Sequence, residues 1–119
     1  MLQARAEAGC SQEDLPATII TLADGGEPKV EFEISGLGSG QVPPVLRMTT
    51  GRRIPGALYL ARAWWVGDGG RMALSGTLTL SEVVPGDHLS GRYDLAAPDG
   101  RRIAGSFRAP WPRGAVGCG

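Results

Sequence analysis

Three segments near the C-terminus carry a glycine at the same place in the same pattern. Ser75-Gly76-Thr77-Leu78-Thr79-Leu80, Ser90-Gly91-Arg92-Tyr93-Asp94-Leu95 and Ala104-Gly105-Ser106-Phe107-Arg108-Ala109 each read small, glycine, polar, large apolar, polar, apolar. The glycines are separated by 15 and then 14 residues. That spacing holds a strand and a tight turn and is too short for a crossover helix. The segments are therefore expected as consecutive antiparallel strands, a three-strand meander.

Turn chemistry sets the register of the last pair. Ala97-Pro98-Asp99-Gly100 suits a type I turn, with Pro at the second position and Gly in the left-handed conformation of a G1 bulge. Ala97 then faces Arg101, Leu95 faces Ile103, Tyr93 faces Gly105 and Gly91 faces Phe107. A two-residue turn would shift the pairing by one and scramble the faces. The bulged register keeps the apolar set on one side and lays an aromatic ring over each glycine.

Period-two patterning extends upstream. Ala17 to Leu22 ends at Asp24-Gly25-Gly26, and in Lys29 to Ser35 the apolar Val30, Phe32 and Ile34 alternate with Glu31, Glu33 and Ser35. Val45 to Thr50 reads as a short strand between the loops Gly36 to Pro44 and Gly51 to Gly56. Ala57 to Trp65 has helix-forming composition but only nine residues between breaks, so a strand is expected there. Residues 1–16 read as an N-terminal arm, with a frayed helical turn over Leu2 to Ala8. The expectation is one all-β domain over 17–119, an antiparallel β-sandwich or flattened barrel of about seven strands.

The chain has 119 residues, room for one core. Net charge is zero, and the basic residues, eleven Arg and one Lys, form no block, which argues against nucleic acid as a partner. Met1 to Gly9 holds no apolar run, so neither a signal peptide nor a membrane span is expected there.

Cys10 and Cys118 stand near opposite ends, without Cys-x-x-Cys spacing and with a single histidine, a poor basis for zinc. In a reducing compartment they would be unrelated thiols. In an exported protein they would form a disulfide closing a loop of roughly 100 residues, and this is the pairing expected here, because a small Gly-rich β domain gains most from such a staple. A competing reading takes Ala8-Gly9-Cys10 as the tail of a lipoprotein signal, with Cys10 lipidated, although Glu7 stands where that motif has an aliphatic residue.

The inventory for catalysis is thin. His88, the one histidine, falls in the turn Pro85-Gly86-Asp87-His88, and no nucleophile-elbow motif accompanies any serine. Glu31 and Glu33 lie about 6.5–7 Å apart by strand rise, near the spacing of hydrolase acid pairs, yet they read first as the solvated face of a half-buried strand. Asp68, Asp87 and Asp99 lack the oxygen-rich repetition of a calcium loop. Arg52-Arg53 and Arg101-Arg102 read first as solubilising loop residues, with contact to an anionic partner as the alternative. No catalytic residue, metal or cofactor is expected. The tryptophans are the binding lead. Adjacent Trp64 and Trp65 must point to opposite faces of a strand, and Trp111, between Pro110 and Pro112, either caps an open end or offers a contact surface.

From Ser75 to Cys118 the chain resembles the C-terminal part of small exported β domains and lipoproteins of bacteria, on Gly91, Tyr93, Leu95, Asp99-Gly100, Gly105, Phe107 and Cys118. The resemblance implies an envelope or extracellular location and a non-catalytic role. The function expected first is an exported or cell-envelope module that binds a protein partner or cell-surface component, or supports an envelope assembly. The second is a carrier barrel holding a lipid-like molecule among Phe32, Leu78, Tyr93 and Phe107.

Overall fold

The structure, a computed structural model, describes residues 3–11, 16–25, 27–37, 45–51, 59–67, 69–112 and 118. They hold eight strands and no helix: β1 (Gln3–Cys10), β2 (Pro16–Asp24), β3 (Glu27–Ser35), β4 (Leu46–Thr49), β5 (Leu60–Gly67), β6 (Gly70–Val84), β7 (His88–Ala96) and β8 (Arg102–Pro110). All pairings are antiparallel, in the order β1-β2-β3-β5-β6-β7-β8, with β4 attached to β6. The sheet curls into a half-barrel that brings β1 near β8. Expected features at Leu2, Gly26, Arg52, Arg53, Ala57 and Asp68, and in residues 38–44, lie outside the described residues.

The final hairpin takes the bulged register. Leu95 pairs with Ile103, Tyr93 with Gly105 and Gly91 with Phe107. The Ala97 N–H donates to the Arg101 carbonyl at 2.9 Å, the Gly100 N–H donates to the Ala97 carbonyl at 2.9 Å, and Gly100 has φ 90°.

One expectation is overturned at the N-terminus. Gln3–Cys10 is neither arm nor helical turn but a strand paired with β2 along its whole length. Its exposed Gln3, Arg5 and Glu7 alternate with half-buried Ala4, Ala6 and Ala8. A helix of so few residues is marginal alone, whereas the β2 edge takes β1 into an antiparallel ladder along its whole length.

β6 is also longer than the expected Ser75–Leu80 segment, because it serves two neighbours on one edge. Ala63 to Gly67 of β5 pair with Gly70 to Leu74, and β4 takes over at Thr77 to Leu80. Thr50 stitches the changeover. Its N–H donates to the Gly76 carbonyl at 2.9 Å, while the Gly76 N–H donates to Thr50 Oγ1 at 3.1 Å. Gly76 has φ 144°, and a β-carbon there would collide with the Asp94 carbonyl. Gly91 is required for a related reason, since a β-carbon would strike the Thr79 carbonyl of β6. Of the expected ring-over-glycine pairs, Tyr93 over Gly105 accounts for its glycine. At Gly91 the constraint is the neighbouring backbone.

Phe32 anchors the core from β3. Its ring centroid lies 5.5 Å from that of Tyr93 and 5.9 Å from that of Phe107. Leu78, Leu80, Leu89 and Leu95 complete the packing from β6 and β7. Because strand directions alternate, the turns after β2, β5 and β7 share one end of the half-barrel with the starts of β1 and β8. The other end holds the turn after β6, the end of β8 and the Cys10–Cys118 disulfide, whose Cα atoms are 5.8 Å apart.

Candidate functional site

At the end away from the disulfide a groove of about 640 Å³ opens between the tip of β2 and the start of β8. It is lined by Asp24, Trp65, Tyr93 and the consecutive residues Arg102 to Ser106. Gly105 opens it. The Tyr93 ring reaches across from β7 until its hydroxyl stands 2.7 Å from where a Gly105 β-carbon would be. With hydrogen alone at that position the phenol ends at the groove instead of under a side chain. Burial raises the Tyr93 pKa above its ordinary value of 10.0, so the phenol is neutral and remains a donor. Among the described residues no protein group hydrogen-bonds that hydroxyl, and no fully buried side-chain polar atom lacks a partner, so the hydroxyl is open to the groove.

Trp65 forms the facing wall. It pairs with Val30 of β3 and shares that residue's inward face, half-buried against the core. Trp64 pairs with Glu31 on the outer face, yet it is only 7% exposed. The Arg71 guanidinium lies 4.2 Å from its ring centroid and binds Glu31 at 2.9 Å. The two tryptophans do point opposite ways, but the inward one is the accessible one. Trp64 is packed beneath a cation rather than offered as an anchor. Trp111 stands at the disulfide end, half-buried against the core, with its N–H donating to the Asp87 carbonyl at 3.0 Å. The three tryptophans do not form one surface.

Arg102 rims the groove and contacts both oxygens of Asp94, at 2.7 and 2.6 Å, and this carboxylate raises its pKa. At the hairpin tip Asp99 accepts from the Arg101 backbone N–H, which lowers the Asp99 pKa, and from Arg101 Nε at 2.8 Å.

The remaining sequence candidates are engaged in side-chain contacts within the sheet. Glu33 is not solvated as expected but 5% exposed, and it binds Arg62 at 3.1 Å. Cross-strand guanidinium partners draw both Glu31 and Glu33 into ion pairs. His88 Nδ1 contacts Asp87 and its Nε2 lies 3.4 Å from Glu82, while the Ser90 hydroxyl donates to Glu82 at 3.2 Å. The hydroxyl thus engages a carboxylate and leaves no Ser–His couple. Among the described residues no three His, Cys, Asp or Glu side chains converge as a metal site, and no helix is long and apolar enough to cross a membrane.

Sequence reasoning missed Asp24, Arg102, Ile103 and Ser106 as groove residues. The usable signal was the Tyr93–Gly105 pairing, read there as ring coverage of a glycine when the same geometry also leaves space outside the ring. No known protein family, curated protein or solved structure matches the chain.

Proposed function

We propose that this chain is a non-enzymatic, exported or cell-envelope module that binds a protein partner through the groove between Trp65 and β8. The groove carries the reading. It presents an aromatic wall, a neutral phenolic donor and charged rims in one solvent-open concavity. The Cys10–Cys118 disulfide favours an oxidising compartment, since such bonds persist where thiols are not kept reduced. A non-catalytic role is supported by the ion pairs of Glu31 with Arg71 and Glu33 with Arg62, and by the Ser90 hydroxyl donating to Glu82 rather than to His88. The carrier reading is weaker, because Phe32, Leu78, Tyr93 and Phe107 are 0–7% exposed and occupy the interior themselves.

Selection of random displayed peptides on the folded, oxidised protein tests the proposal. Binders should be enriched and should lose affinity for Trp65→Ala. No enrichment, or enriched binders indifferent to that variant, would refute the groove as the contact surface.

A further inference from the structure

The groove follows the edge of a strand. Five consecutive residues, Arg102 to Ser106, line it, although successive side chains of a strand point to opposite faces. Only a path along the backbone edge meets all five. Among the described residues β8 is paired with β7 alone, β1 coming near it without joining the ladder, and the hairpin bonds fix the phase of that ladder. Leu95–Ile103 and Tyr93–Gly105 are the hydrogen-bonded pairs, so the N–H and C=O groups of Arg102, Ala104 and Ser106 point away from β7, toward the groove.

Resting on the protein-binding reading above, we propose that β8 takes an extended segment of the partner as an added antiparallel strand, with acidic and small aliphatic residues alternating along it. Inward side chains of that segment meet Trp65, Ile103 and the Tyr93 hydroxyl over Gly105. Outward ones meet the other face of β8, where Arg102, Ala104, Ser106 and Arg108 alternate with the inward residues. Arg92 of β7, opposite Ser106, shares that face. Arg102 is neutralised by Asp94, but among the described residues neither Arg92 nor Arg108 has a carboxylate partner. Carboxylates on the added strand supply that charge, and the small Ala104 and Ser106 leave room for them. A second copy of this chain fits poorly, because antiparallel β8–β8 pairing centred on Gly105 would set Arg102 against Arg108.

The test titrates a capped eight-residue peptide of alternating Val and Glu into the oxidised protein, following amide exchange along β8 and Trp fluorescence. The expected result is protection of Ala104 and Ser106, binding weakened by salt, and about tenfold weaker binding of the Lys-for-Glu peptide. A peptide with a central proline should not bind. Arg92→Glu with Arg108→Glu should reverse the charge preference without touching the groove floor. Equal binding of both charges, protection elsewhere, or a concentration-dependent dimer that protects β8 without peptide would overturn strand addition. If the peptide fails while Trp65-dependent binders still emerge from random selection, strand addition falls and the protein-binding reading stands. If both fail, both fall.

Discussion

The Tyr93 hydroxyl occupies the space above Gly105, 2.7 Å from the place of an absent β-carbon and with the phenolic Cζ at 3.0 Å. Gly105→Ala must displace the ring from the Phe32 and Phe107 stack. Overpacking of this kind costs about 1–3 kcal/mol. Tyr93→Phe removes the closest atom, so in urea unfolding the double variant should lose less than the sum of the two single changes. Strict additivity would show that the two residues do not press on each other.

Gly76→Ala and Gly91→Ala should be more damaging, since backbone rather than a side-chain tip stands in the way at both sites. Losses of about 3 kcal/mol or more are expected. Gly51→Ala, at φ 70° with open space around it, should cost only about 1 kcal/mol. Thermal melts of the three variants give the ranking directly.

The hairpin register was legible because Pro98-Asp99-Gly100 admits one loop geometry, and a single slip would have put Leu95 and Phe107 on opposite faces. β1 was hidden by its alanines, which fit a helix by propensity, while Gln3, Arg5 and Glu7 carried the period of two. The length of β6 was hidden because Gly76, where its neighbour changes from β5 to β4, looks like a strand boundary. For the groove, the sequence identified Tyr93 opposite Gly105 and an opposed tryptophan pair. That Trp65 rather than Trp64 is accessible depends on Arg71 lying across Trp64, a contact between strands that no local pattern records.

Reduction should weaken the fold substantially. The disulfide spans 108 residues, and restricting the unfolded chain over such a loop contributes about 4–5 kcal/mol in the chain-entropy picture. Cys10→Ser with Cys118→Ser should lower the urea midpoint accordingly, and a thiol assay on protein from its native source should find none free.

Alkali should unfold the protein partly through Tyr93. Its folded pKa is raised above the ordinary 10.0, so the stability it contributes is complete below that value and is lost as pH rises through the folded one. Tyr93→Phe should flatten the decline in stability above pH 10. Asp99 has the opposite sign. Its lowered folded pKa means its contribution is present above the ordinary carboxylate range and lost as pH falls through the folded value, which NMR titration of the carboxyl will locate.

Amide exchange along β8 in the free protein tests the open edge most directly. The N–H groups of Ile103, Gly105 and Phe107 face β7 and should exchange slowly, while those of Arg102, Ala104 and Ser106 should exchange rapidly, giving an alternating pattern. Uniform slow exchange across Arg102 to Phe107 would mean that the edge is already paired, and the groove would lose its role as the binding surface.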